Sequence, residues 1–528
     1  MRDFHLPGRS AVLACNGLCA TSHPLAARVA IDILREGGNA MDAAIAAAVL
    51  LGICEPASTG IGGDLFTLFT PPGEDRVLAL NGSGRAPAGL EAAQLRDAGL
   101  TEIPLRSPHA VTVPGAIDAF CRLAEDWGRL GIGRCLAPAI EHAEAGVPVA
   151  PRTAFDWKNQ ADTLQGAARE FYLADGRPLA VGDLFRHPQQ AEVLRRIAAE
   201  GRDGFYAGEV AQDMVDSLRA LGGTHSLEDF ARTRCDYTEP VSGRYRGIEL
   251  LEHPPNGQGA TAILLANILS RFDLGALDPF GALRTHLEAE ATRLAYDARN
   301  RIIADPDHTA RLDYMLSPET AAGLAALIRP DRVITAPPAP GPGGAPHRDT
   351  VYLCVVDRDL MVVSMIYSIF HGFGSGLASS KFGILFQNRG AGFTLEEGHP
   401  NEAGPGKRPL HTIIPAMVRR EGRVIMPFGV MGGAYQPVGH VRFLGNWLDH
   451  GLPPQTAIDA PRAFLDGGRL NLERGHAPDV ARHLAALGHE ITVPDTPLGG
   501  AQAILIDHAR GVLEGASDPR KDGAAIGY

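Results

Sequence analysis

Apolar residues recur at helical spacing over residues 24–37, and the pattern stops at Gly37-Gly38. A second helix is predicted from Asn39 or Ala40 to about Gly52, with the Asn39 side chain suited to cap it. The longest apolar stretch, AAIAAAVLLGIC over 43–54, falls short of the ~20 residues a bilayer span needs and is rich in alanine. It predicts a buried helix. The turn-rich STGIGGD (58–64) then gives way to the strand-like LFTLFT. From about 115 to 330 helical patterns dominate, at 116–127, 137–145, 189–200 and, as a long amphipathic candidate, 283–301.

The pattern breaks at 336–347, APPAPGPGGAPH, where five prolines and three glycines in twelve residues deny both helix and ladder a continuous backbone. Directly beyond it the texture turns to strand: TVYLCVV (350–356), a turn at 357–359, and MVVSMIY (361–367). These runs are too apolar for a half-solvated hairpin, so both strands are expected to be buried on both faces. Further strands are predicted at 413–418 and 424–430, and no internal repeat is present.

Composition narrows the function classes. With 45% hydrophobic and 21% charged residues the chain can bury a sizeable core. Lys and Arg number 49 against 61 Asp and Glu, a net charge of −12, and no basic run of five exists. Nucleic-acid and anionic-membrane partners are therefore not expected. The seven cysteines are scattered and form no C-x-x-C pair, which argues against a disulfide framework or structural zinc site. No secretory h-region follows the first charged residues, so a cytoplasmic location is expected. The 19 histidines are never closer than six apart, which excludes helical His-x-x-x-His metal spacing, and P-loop, dinucleotide-binding and G-x-S-x-G motifs are missing.

The junction Asp349-Thr350 admits two readings. It can be a surface linker between two domains, with Thr350 merely a good strand former. It can also be a processing site. A threonine hydroxyl is a weak nucleophile unless a base adjoins it, and a threonine made N-terminal carries its own α-amine, with a reference pKa near ~8. That solution needs an accessible cut just before the threonine and a rigid strand behind it.

Motifs along nearly the whole chain resemble the gamma-glutamyltransferase family of N-terminal-nucleophile hydrolases. They include the segment from TSHPLAARVAIDILREGGNAMDAAIAAAV to GIGGDLF, VPGA (113–116), LLEHPPNGQGA (250–260) and TVYLCVVD (350–357). FGSG (373–376), GPGKRPL (404–410), VMGGAYQP (430–437) and ASDPR (516–520) continue the match in order. The resemblance implies an α+β fold, a four-layer αββα sandwich, and a proenzyme that cuts itself between Asp349 and Thr350. The products would be a large subunit, 1–349, and a small subunit, 350–528, of 179 residues, associated in one globular unit that could assemble further. Thr350 would be the nucleophile and its amine the base. Ser368 matches a supporting hydroxyl, and Gly432 and Gly433 match the donors to the oxyanion. No metal or organic cofactor is implied.

The same resemblance exposes departures. Transferases of the family hold the glutamyl carboxylate with an arginine in an F-R-E context; here ALNGSGRAPA (79–88) puts Ser83 at that place and Arg85 two residues on. The family's Asn, Gln and Asp contacts to the glutamyl amino group correspond to Phe370, Arg389 and Gly392, and its two serines to His411 and Thr412. Phe, Arg and Gly cannot hold an ammonium as Asn, Gln and Asp do. With His371 alongside, the changed pocket suits a small anionic amide, because arginine presents a planar fork to carboxylates and phenylalanine shortens the pocket. The combination resembles a subgroup that includes oxamate amidohydrolases, so oxamate is the first expected substrate. Gamma-glutamyl substrates, or the amides of cephalosporin acylase-like members that carry similar GRAP and QNRG stretches, are the alternatives.

Overall fold

The apolar run after Thr350 divides its side chains between two interiors. Val351, Leu353 and Val355 pack with the early helices, whereas Tyr352, Cys354 and Val356 face a second sheet. The partner strand does likewise, with Val363, Met365 and Tyr367 on one side and Val362 and Ile366 on the other. A strand between two dry layers has no polar face, which accounts for the unbroken run.

This computed structural model describes residue 5, residues 8–335 and residues 350–528. The Pro/Gly-rich stretch 336–347 and Asp349 lie outside the described residues. Two seven-stranded sheets form the centre. One runs Val12–Ala14, Val512–Ser517, Gly500–Asp507, Arg423–Met431, Ala416–Arg420, Ile248–Glu252, Val241–Tyr245. The other runs Ala524–Gly527, Gly17–Thr21, Val351–Asp357, Val362–Ser368, Asp64–Thr70, Leu78–Gly82, Asp236–Thr238. Tyr352, Met417, Met431 and Ile504 pack between the sheets. Helices Pro24–Arg35 and Ala40–Cys54 cover the outside of the second sheet, and Gly259–Leu269 and Gln436–Leu448 that of the first. The architecture is the expected αββα sandwich. Each sheet combines strands from both sides of residue 349, so the reading of 336–347 as a linker between two separate domains does not hold.

The N-terminal helices follow their sequence signals. Pro24 opens the first, and a capping box between Asn39 and Asp42 opens the second, whose fifteen residues are all buried. Three expectations need correction. The helix predicted from 137 starts at Gly131 and carries Pro138 inside it. Packing against Ala40–Cys54 and Pro188–Glu200 offsets the hydrogen bond that proline removes. The helix predicted as amphipathic, observed as Ala282–Ile302, is buried around most of its circumference. Its inner charges are paired: Arg284 Nε meets Glu288 Oε1 at 2.9 Å, and Arg442 reaches the same carboxylate. The strand expected from 413 begins at Ala416, because Pro415 has no N–H and the Ile414 N–H goes to Gln436 Oε1. Among the described residues no helix is long and apolar enough to cross a membrane.

Candidate active site

Three neighbouring strands of the second sheet end in a row of polar residues. Val351 pairs with Tyr367, so one further step sets Thr350 opposite Ser368, and Ser368 pairs in turn with Asp64. All three are fully buried. Thr350 Oγ1 lies 3.3 Å from Ser368 Oγ. The Phe370 N–H (2.9 Å) and Arg389 Nη2 (3.3 Å) both donate to Ser368 Oγ. A hydroxyl offers two acceptor positions and one proton. With both acceptor positions taken, Ser368 must donate to Thr350 Oγ1, and that contact leaves the Thr350 proton for a base.

Arg389 opens a short 3₁₀ turn, Arg389–Gly392, and is completely buried. Its Nη1 donates to Thr412 Oγ1 at 2.9 Å, and its guanidinium carbon stands 4.1 Å from the Phe370 ring centroid. Its Nε is buried without a hydrogen-bond partner. Among the described residues the groups in contact with it are hydroxyls and a ring, none of them anionic. Burial lowers its pKa to about 9, against the opposing pull of Asp64. Phe370 adopts φ +80°, unusual for an aromatic residue, with its N–H fixed on Ser368. His371 is edge-on to that ring at 4.2 Å, and its N–H donates to Asn388 Oδ1.

Asp64 gathers the surrounding loops. Its Oδ1 accepts from the Gly84 N–H (2.9 Å), the Gly115 N–H (3.2 Å) and Gln387 Nε2 (2.9 Å), and Oδ2 faces His411 Nε2 at 3.1 Å. Burial pushes this carboxyl up to about 6, while Arg389 and the donors pull the other way. The Ile413 N–H approaches His411 Nδ1, which is consistent with a proton on Nε2 directed at Asp64.

A turn from the first sheet is linked to this group through one side chain. Gly432 (φ +116°) and Gly433 (φ +57°) follow the strand Arg423–Met431 and lead into the helix Gln436–Leu448. A Cβ at Gly432 would also stand 3.0 Å from Gly499 Cα. Gln258 Nε2 donates to both the Thr412 and the Gly433 carbonyl, tying this turn to the Arg389 cluster. Gly392 lies against the Leu410 carbonyl, where a Cβ would approach to 2.7 Å.

The structure thus brings Thr350, Ser368, Phe370, His371, Arg389, His411 and Thr412 into one connected group, with Gly392 beside it and Gly432-Gly433 joined through Gln258. Arg85 is directed elsewhere. Its guanidinium meets Asp305 Oδ2 (3.4 Å), the Gly406 carbonyl (3.0 Å) and, at 3.8 Å, Asp236, with its side chain 43% exposed. Ser83 is buried and bonded to Asn81 and Asn256. Asp64, Gln258 and Gln387 escaped the sequence reading. A usable signal was an acid at the head of the apolar strand LFTLFT, where a charge has to be buried and partnered.

A chain-wide match accompanies this geometry. The sequence profile described as gamma-glutamyltranspeptidase matches residues 26–528. The chain is 36% identical over 540 residues to an oxamate amidohydrolase proenzyme of Klebsiella pneumoniae, covering 98% of this chain and 100% of the relative. It is 34% identical to a glutathione hydrolase-like YwrD proenzyme of Bacillus subtilis, covering 98% and 99%. The crystal structure of a cephalosporin acylase from Bacillus halodurans superposes with a TM-score of 0.92 at 38% identity, covering 100% of this chain and 99% of that one. The chain belongs to the gamma-glutamyltranspeptidase family and is an amide-hydrolysing enzyme of its self-processing kind.

Proposed function

We propose that the chain cuts itself between Asp349 and Thr350 and then hydrolyses a small carboxylate-bearing amide, with oxamate, which would yield oxalate and ammonia, as the first candidate. The observation that carries this reading is Arg389. A fully buried guanidinium is costly unless an anion or a dense set of acceptors meets it, and its contacts here are neutral. Two 3.3 Å contacts in series, Thr350 to Ser368 and Ser368 to Arg389, hold Thr350 Oγ1 and Arg389 Nη2 within twice that distance. Such a span suits a carboxylate bonded directly to the attacked carbonyl better than one three carbons away, as in a gamma-glutamyl group.

In this reading the α-amine freed at Thr350 takes the hydroxyl proton as Oγ1 attacks the amide carbon. Ser368, polarised by Arg389, steadies the oxygen through its hydrogen bond. The N–H groups of Gly432 and Gly433 receive the oxyanion, each worth on the order of 3 kcal/mol of barrier. The carbon–nitrogen bond breaks, the amine leaves with the proton, and water hydrolyses the ester on Thr350. Segments 1–349 and 350–528 stay associated throughout.

An ammonia-release screen over small amides tests this. The wild-type protein should run as two bands in denaturant and turn over oxamate at least 100-fold faster than a gamma-glutamyl anilide. Thr350→Ala should run as one band and release nothing. An intact single chain with full activity, or a preference for the anilide, overturns the reading.

A further inference from the structure

Resting on the functional reading above, we infer that Asp64 is a product-release charge: a buried carboxylate beside the acyl site that tolerates the one negative charge of a carboxylated amide and disfavours the second one created by hydrolysis.

The proposed reaction gives Asp64 no step, yet it adjoins the residues that would hold the product. It is paired with Ser368 across adjacent strands, so the two side chains leave the same face with Cβ atoms roughly 5 Å apart. Ser368 in turn touches Thr350 Oγ1. The backbone N–H groups of Gly84 and Gly115 and the Gln387 amide would all be satisfied by a neutral asparagine oxygen at this position. Of the groups on this carboxylate, His411 Nε2 on Oδ2 is the one that calls for the second acceptor oxygen. Burial opposes its charge, and the cationic group facing it is Arg389, not in contact with it but close enough to steady it.

The charge count follows from the reaction. With Arg389 positive, Asp64 negative, His411 carrying its single proton on Nε2 and the Thr350 amine in its basic form, the unoccupied site is balanced. A monoanionic amide adds one charge, which Arg389 receives. Hydrolysis then turns R–CO–NH2 and water into R–COO⁻ and ammonium, and the new carboxylate forms at the attacked carbon, on the Ser368 and Asp64 side. Two unit charges about 10 Å apart at an effective dielectric near 20 change an equilibrium on the order of tenfold. Oxamate and oxalate have nearly the same shape, so the pair isolates charge from fit.

Product inhibition by oxalate and the KM for oxamate are measured on the wild-type enzyme and on Asp64→Asn. For the wild type, the oxalate inhibition constant should lie at least tenfold above the oxamate KM. In Asp64→Asn, oxalate should bind about tenfold tighter, the oxamate KM should move several-fold less, and kcat should fall behind a burst of ammonia as release becomes limiting. A merely structural Asp64 would weaken both ligands together. That result, or unchanged oxalate inhibition in the variant, overturns the inference, as does a wild-type enzyme that holds oxalate more tightly than oxamate. Should Asp64→Asn fail to fold, the wild-type comparison decides alone. A wild-type enzyme that turns over no carboxylated amide sinks the functional reading itself, an outcome distinct from active enzyme with unaltered oxalate inhibition.

Discussion

Arg389 sits where burial has moved its titration toward the working range of an enzyme. With its pKa lowered to about 9, its charge is lost as pH rises through that value. The KM for a carboxylated amide should therefore climb above about pH 9, whereas the KM for neutral oxamide should not, as initial rates from pH 7 to 10 would show. Ser368→Ala removes the donor to Thr350 and should lower kcat by about 10- to 100-fold with little change in KM. Asp64 carries the opposite sign. Its folded value, about 6, lies above the unfolded value near ~3.9. Its contribution to stability is complete below the unfolded value and is lost as pH rises through about 6, a cost on the order of 3 kcal/mol. Thermal unfolding of the wild type should show this slope between pH 4 and 6, and Asp64→Asn should flatten it. At this scale the proposed nucleophile, its neighbouring hydroxyl and the glycine pair were legible as positions because each lies in a recognisable motif. Asp64 and Gln258 were not, since what they do depends on partners hundreds of residues away or on loops that only the fold brings near.

Among the elements, strands supply rigidity and their connections carry the proposed substrate contacts. The strand Val351–Asp357 meets Arg423–Met431 across the interior, and Gly429 leaves the space that the Tyr352 ring fills. A Cβ there would run into the ring, so Gly429→Ala should destabilise the protein by about 1–3 kcal/mol, visible as a lowered Tm. The central hairpin and first helices were readable because their apolar spacing coincides with layers that are dry on both sides. Pro138 hid the start of one helix, since only the packing around Gly131–Ala145 shows that a lost hydrogen bond is affordable there. The charges on Ala282–Ile302 suggested a wet face for a similar reason: a sequence displays Arg284 and Glu288 but not the Arg442 that shares their interior.

At the scale of the whole molecule, the two proposed subunits are interwoven rather than docked. In the second sheet, Gly17–Thr21 lies between Ala524–Gly527 and Val351–Asp357, while Val362–Ser368 adjoins Asp64–Thr70. In the first, Val12–Ala14 borders Val512–Ser517 and Ile248–Glu252 borders Ala416–Arg420. Each proposed fragment alone would leave apolar strands unpaired. After processing, the 349- and 179-residue pieces should co-elute as one species in native buffer and separate only in denaturant. Recovery of either piece as a soluble, folded monomer would contradict this interweaving.

The row Asp64, Ser368 and Thr350 is mounted on strand ends, whereas Phe370, Arg389, Gly392, His411 and Thr412 belong to irregular connections. The proposed selectivity is consequently modular. A chimera that receives residues 370–392 and 409–412 from a relative should change which amide it accepts while still cutting itself, because Thr350 and Ser368 stay on their own paired strands and the Phe370 N–H that holds Ser368 Oγ is a backbone group. On the proposed reading, kinship measured over five hundred residues reports mostly on the scaffold, while the contacts proposed for the substrate occupy a small set of loop positions.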